Sequence, residues 1–161
     1  MTEKQYNSCV DQYADAVFRF IVKNLKNEDD ARDIVQSAFE KMWMKRESIV
    51  NETAKSFLFT VAYHQMIDHI RKSKRIQLNE TFDENIRIQK HPSHSLKREL
   101  DLALESLTHL QKSLILLKDY EGYSYAEIGK ITGLNESQVK VYLHRARLQL
   151  RNLIGNAENI I

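Results

Sequence analysis

Cysteine is nearly absent from this chain of 161 residues: Cys9 stands alone, beside one proline, Pro92, and four glycines. A single thiol can build neither a disulfide framework nor a cysteine-based zinc site, and it fits a reducing compartment, so the cytoplasm is the expected location. The scarcity of glycine and proline leaves few turn signals, and helix formers dominate, so an all-α fold is expected. No apolar run approaches the length needed to span a bilayer. Residues 1–10 lack the apolar centre of a signal peptide, so no membrane insertion is expected. There is no Gly-rich phosphate loop and no nucleophile motif. His64 and Asp68 form an i, i+4 pair without an evident third metal ligand, and His91 and His94 fall in a stretch that reads as linker. No catalysis, metal or cofactor is expected.

What is present is uneven charge. The net charge is only +2, but residues 26–40 hold five acids against two bases. Residues 68–75 hold Arg71, Lys72, Lys74 and Arg75 against Asp68, and residues 136–151 hold Lys140, Arg145, Arg147 and Arg151 against Glu136. Two separated basic clusters with an acidic stretch ahead of the first point to nucleic acid met at two places and a different partner at a third.

Apolar periodicity divides the chain. Tyr6, Val10, Tyr13, Val17, Ile21 and Leu25 make a helical stripe over Glu3 to Leu25. Asn27 is placed to cap a second helix, with acids in its first turn. Its core face is Ala31, Ile34, Val35, Ala38, Phe39, Met42 and Trp43. After a polar connection at 45–53, a third helix is expected from about Ala54 to Ser73, with Leu58, Val61, Ala62, Met66, Ile67 and Ile70 inward. Residues 74–95 show no sustained period and read as a flexible linker, with at most a short helical piece around Phe82 to Ile88. Two small helical domains are therefore expected, 1–73 and 96–161. In the second, Ser124 to Glu127 and Asn135 to Gln138 are capping boxes, and Gly133 lies between them. A short helix, a glycine turn and a capped second helix make a helix-turn-helix.

Three faces are candidates for binding. With Val139, Leu143, Ala146 and Leu150 inward, the last helix presents Glu136, Ser137, Gln138, Lys140, Val141, His144, Arg145 and Arg147. That is the layout of a helix that enters a major groove. The polar face of the third helix carries His64, Gln65, Asp68, Arg71, Lys72 and Arg75, with Phe57, Phe59 and Tyr63 nearby. Aromatics beside cations suit single-stranded bases, although Phe57 and Phe59 read better as core. The acidic face of Asp33, Gln36, Ser37 and Glu40 would repel DNA. It serves equally well to dock a basic protein surface or to meet solvent.

In this order the segments resemble the extracytoplasmic-function (ECF) sigma factors of the sigma-70 family. Residues Asp30-Ala31-Arg32-Asp33-Ile34-Val35-Gln36-Ser37-Ala38-Phe39, followed by Met42-Trp43, resemble one signature of that family. A second lies in Phe57 to Ala62 with Ile67 to Lys72, and a third across Leu107 to Leu150. Departures are Phe57 for the usual Trp, His64 for Asn, Thr108 for Pro, Gly129 for Ala and Gln138 for Thr. The resemblance implies that Asp33, Gln36, Ser37 and Glu40 bind the clamp helices of the polymerase β′ subunit. It implies that the 45–53 loop and third helix, with Phe57, His64, Gln65, Asp68, Arg71, Lys72 and Arg75, capture and melt the minus-ten element. The recognition helix would read the minus-thirty-five element while its domain sits on the β flap. Glu80, Asp83 and Glu84 would mimic nucleic acid in the polymerase cleft, and an anti-sigma factor would regulate the whole. Two other readings remain open on the residues: a dimeric helix-turn-helix regulator acting on duplex DNA by itself, and a helical protein–protein adaptor.

Overall fold

Thr2 starts the first helix. Its hydroxyl accepts from the Gln5 N–H at 3.1 Å, and the Gln5 side chain accepts from the Thr2 N–H at 2.9 Å, so two otherwise orphaned donors are satisfied reciprocally. The computed structural model describes the backbone of residues 1–79 and 96–158. Helix α1 (Glu3–Leu25) ends on Lys26 in the left-handed region, φ 58°, and Asn27 then caps α2 (Glu28–Met44) by accepting from the Asp30 N–H at 3.0 Å. Two short 3-10 turns, Arg46–Ser48 and Asn51–Thr53, carry the polar connection. Helix α3 (Ala54–Asn79) runs past its expected end at Ser73. Residues 74–79, read as linker from sequence, continue the helix because they contain no glycine or proline and consist mostly of adequate helix formers. Glu80, Asp83, Glu84, the piece around Phe82 to Ile88, His91 and His94 lie outside the described residues.

The three helices close on Val17, Ile21, Ala31, Ala38, Met42, Leu58, Ala62 and Met66, none measurably exposed. Alanines at 31, 38 and 62 let the helix axes approach while the larger side chains fill the remaining space. Tyr6 sets its ring edge against Trp43 at 4.9 Å and donates its hydroxyl to the Phe39 carbonyl at 3.0 Å. Val61, Ile67 and Ile70 are only partly buried. Tyr63, by contrast, is 6% exposed and Phe59 fully inside.

The second module comprises α4 (Leu96–Glu105), α5 (His109–Ile115), α6 (Tyr125–Thr132) and α7 (Glu136–Glu158). A Thr108/Gln111 capping box opens α5, announced in the sequence by the same Thr-x-x-Gln spacing as at Thr2. Helix α5 continues into one wide π turn, Leu116–Tyr120, and Gly122 at φ 75° turns the chain toward α6. Six consecutive residues, Lys112 to Leu117, are buried. One face of a helix cannot hold six consecutive residues, so this helix is covered on more than one side.

The first module supplies the second cover. Phe59 packs between Phe20 and Tyr123, with ring centroids 5.6 and 5.2 Å away. Arg19 donates from Nε and Nη2 to the Glu121 carboxylate, both at 3.1 Å, and Lys26 pairs with Glu105 at 3.5 Å. Asn24, 2% exposed, accepts from Ser113 Oγ at 3.2 Å on its side chain and from Lys112 Nζ at 3.3 Å on its backbone carbonyl. The two modest cores expected from the sequence are thus one continuous apolar cluster. The junction also carries costs. Burial pushes the Lys112 ammonium below its usual range, with Lys26 adding to the effect and Glu105 opposing it. Burial likewise lowers His109, helped by Lys112 and Lys74. His109 Nδ1 and the Tyr123 hydroxyl are buried without a hydrogen-bond partner, a cost of about 1–3 kcal/mol for each such group.

Candidate nucleic-acid interface

Each of the two helix-turn-helix capping boxes forms. Ser124 and Glu127 exchange hydrogen bonds at 3.1 and 3.2 Å, and Asn135 and Gln138 do so at 3.0 and 2.8 Å. Gly133, at φ 82°, terminates α6 and donates its N–H to the Gly129 carbonyl at 2.8 Å. Ile128, Val139, Leu143 and Ala146 fix α7 on the module. Glu136, Ser137, Lys140, Val141, His144 and Arg145 are left exposed. Val141 is 46% exposed in the middle of that polar face although Val139, two residues away, is fully buried. Gln138 is half-buried because its side chain is spent on the cap.

Arg147 lies on α7 but is tied down. Its guanidinium makes a two-pronged contact with the Asp119 carboxylate, Nε at 3.1 Å, and that hydrogen bond holds the group firmly protonated. Lys140 pairs with Glu136 at 3.8 Å and lies 5.5 Å from the centre of the Tyr125 ring, which also carries Lys118 at 4.5 Å. Asp119 and Tyr125 escaped sequence reasoning because neither belongs to the recognition helix; only the fold brings them under it.

Gly129 answers a question the sequence raised. A Cβ placed there would fall 2.7 Å from the Leu134 carbonyl oxygen, inside the turn. Gly129→Ala gains about 1 kcal/mol of helix propensity but forces the turn backbone to move, an overpacking cost of about 1–3 kcal/mol. Thermal unfolding should show a net loss, and a raised melting temperature would contradict the close approach.

The second surface is the outer face of α3. His64, Asp68, Arg71, Lys72 and Arg75 are exposed, and Phe57 is half-buried. Arg71 reaches Asp68 at 3.8 Å, a surface pair of little energetic weight. Gln65 is half-buried and donates to Ser37 Oγ at 2.8 Å, which joins this face to α2. A groove of about 340 Å³ between the two helices is lined by Asp30, Asp33, Ser37, Gln65, Asp68, His69 and Lys72. His69 Nε2 stands 3.0 Å from the Asp30 carboxylate on its floor. Neither Asp30 nor His69 was singled out from sequence. The i, i+3, i+4, i+7 spacing of Gln65, Asp68, His69 and Lys72 was the available signal.

The acidic set on α2 is split by the fold. Asp33 and Ser37 face that α2/α3 groove. Gln36 and Glu40, hydrogen-bonded to each other at 3.3 Å, border a different groove of about 460 Å³ against α1, floored by Tyr6, Val10, Phe18, Val35 and Phe39. Between α2 and α3, Met44 and Val50 are 79% and 57% exposed while Ile49 anchors the connection inside.

A helical module ending in a cationic helix, followed by a capped helix-turn-helix with a second cationic face, defines a two-module DNA-binding protein of transcription. The family model described as sigma-70 region 2 matches residues 9–76, and sigma-70 region 4 matches 97–150. The RNA polymerase sigma factor SigV of Bacillus subtilis is 33% identical over 147 residues, 89% of this chain and 87% of that protein. The ECF RNA polymerase sigma factor SigE of Mycolicibacterium smegmatis is 27% identical over 93% of this chain and 62% of its own length. The sigma factor RpoE of Bartonella quintana, solved in complex with the anti-sigma factor NepR, superposes with a TM-score of 0.78 at 26% identity, covering 94% of this chain and 98% of that one. The chain belongs to the ECF group of the sigma-70 family and is an alternative RNA polymerase sigma factor. Sigma factors are not catalytic enzymes. Among the described residues no helix is long and apolar enough to cross a membrane.

Proposed function

We propose that this sigma factor works in the cytoplasm, without catalysis of its own, by bringing core RNA polymerase to promoters and opening them. The observation that carries this reading is that two cationic helix faces, on α3 and α7, stay at the surface of the folded chain while the acidic face of α2 borders the first of them. Lys140 and Arg145 meet phosphates of the minus-thirty-five element. Ser137, Val141 and His144 meet base edges, and the exposed valine suits a thymine methyl. Arg147 joins them only by leaving Asp119. On α3, Arg71, Lys72 and Arg75 hold the strand backbone while Phe57, His64, Gln65 and the exposed Met44 and Val50 receive an extruded minus-ten base. Asp33, Gln36, Ser37 and Glu40 dock the clamp helices of β′, and the second module rests on the β flap. An anti-sigma factor is the expected regulator, since the structurally similar RpoE was solved with one.

In vitro transcription with core polymerase on a pool of random promoters tests the proposal. The wild-type chain should select a defined promoter class, whereas Arg71→Ala/Lys72→Ala should keep polymerase association and lose permanganate reactivity of the minus-ten thymines. Normal reactivity in that variant would remove the melting role from α3. Tight, specific duplex binding without polymerase would favour an ordinary helix-turn-helix regulator instead.

A further inference from the structure

The contact between the two modules combines features that pull in opposite directions. The Phe20–Phe59–Tyr123 stack and the Arg19–Glu121 and Lys26–Glu105 pairs hold it shut. Against them, Lys112 is 4% exposed and meets no carboxylate within ion-pair distance among the described residues; its Nζ donates to the Asn24 carbonyl at 3.3 Å. His109 Nδ1 and the Tyr123 hydroxyl are buried with no partner. Each of these groups regains hydration when the surfaces part, so each lowers the cost of opening. An interface meant to stay closed is better served by apolar residues of the same size at these positions.

Reach gives the opening a purpose. Elements named for positions minus ten and minus thirty-five lie about 25 base pairs apart, roughly 85 Å of duplex at 3.4 Å per base pair. A single compact body of this length has a radius of gyration of about 15 Å and is roughly 40 Å across. The closed chain therefore spans about half the distance. Neither cationic face is covered by the contact: Ser137, Lys140 and His144 on α7 and His64 and Lys72 on α3 are all exposed. Closure limits reach and leaves each face free.

Resting on the sigma-factor reading above, we infer that the module interface is an autoinhibitory clasp centred on Asn24, Lys112 and Ser113, carried by the chain itself, which keeps the free protein too short to engage both promoter elements and which opens when polymerase draws the modules apart. The buried ammonium of Lys112 is the strained part of the clasp, and the Asn24–Ser113 hydrogen bond is its catch.

The test uses the full chain carrying Asn24→Cys and Ser113→Cys, side chains that already meet at 3.2 Å, in a Cys9→Ser background that removes the only native thiol. Oxidised with diamide, the pair should bond, and promoter-directed transcription with core polymerase should fall roughly tenfold or more, because the competent fraction is removed. Reductant should restore it to at least the wild-type level, since the reduced variant lacks the catch. Independently, Arg19→Glu, placed opposite Glu121, should enlarge the free chain in small-angle scattering and raise its affinity for core polymerase. Lys112→Met should do the reverse. Equal transcription by the oxidised and reduced forms overturns the clasp. So does a cysteine pair that stays reduced under diamide, or an Arg19→Glu and Lys112→Met pair that leaves both scattering and affinity unchanged. If the wild-type chain itself directs no transcription, the sigma-factor reading fails instead, and the scattering series still decides whether the modules are clasped.

Discussion

Phe59→Ala should lower the unfolding free energy of the chain by about 3–5 kcal/mol, the range for deleting a fully buried aromatic side chain. The ring is wholly inside and touches Phe20 of its own module and Tyr123 of the other. Its loss therefore leaves a cavity at the one place where both cores meet. Against a total stability of about 5–15 kcal/mol for a domain, the variant would be partly unfolded at growth temperature. Urea unfolding followed by circular dichroism measures the shift. Phe57→Ala, two residues away and half-buried, should cost far less. A midpoint for Phe59→Ala close to the wild-type value would mean that the ring is not packed between the modules and is free to stack on bases.

Asp33→Arg should abolish stable association with core polymerase while leaving the fold intact. Asp33 is exposed on α2, makes no ion pair among the described residues and lines the α2/α3 groove beside Ser37 and Lys72. Reversing its charge breaks nothing inside the protein, so stability should change by no more than about 0.5 kcal/mol. At a docked basic surface the same change removes an attraction and adds a repulsion, a loss of about 2–5 kcal/mol or more, equivalent to at least roughly 30-fold in affinity. Co-purification with core polymerase, set beside an unchanged melting curve, checks both halves. Undiminished co-purification would assign the acidic face of α2 to solvent.

Much of the local structure is legible in the residues. Helix α1 has the expected bounds because its apolar period is unbroken from Tyr6 to Leu25. Asn27 caps α2 as its side chain and the following acids require. The capping boxes at Ser124 and Asn135, with Gly133 between them, form as their spacing demands, because a cap is decided by three or four adjacent residues. The end of α3 was misjudged for a related reason. Loss of apolar period after Ser73 marks the end of burial, and a helix built from adequate helix formers continues beyond it. The run Leu114-Ile115-Leu116-Leu117 did carry a signal of the module contact. Consecutive apolar residues cannot share one helix face, so a second body had to cover them. Lys112 just ahead of that run hid the signal, because a lysine reads as solvent-facing from sequence.

The faces were legible as sets of residues and less so as surfaces. Asp33, Gln36, Ser37 and Glu40 sit within eight residues of one another, yet the helix turns them toward two grooves, and only the neighbours α1 and α3 define which groove each one joins. Arg147 has the spacing of a DNA-facing residue, and Asp119 claims it from a π turn 28 residues away.

By itself, then, the sequence determined the helices, their caps, the helix-turn-helix and the identity of the two cationic faces, since all of these follow from side-chain period and from bonds between residues three or four apart. Tertiary structure alone decided that the two modules share one core, that Gly129 must lack a Cβ, that Arg147 is held by Asp119, and that Lys112 is buried against Asn24. The reason is physical. Those outcomes depend on which distant surfaces exclude water from each other, and no local pattern encodes the partner of a face.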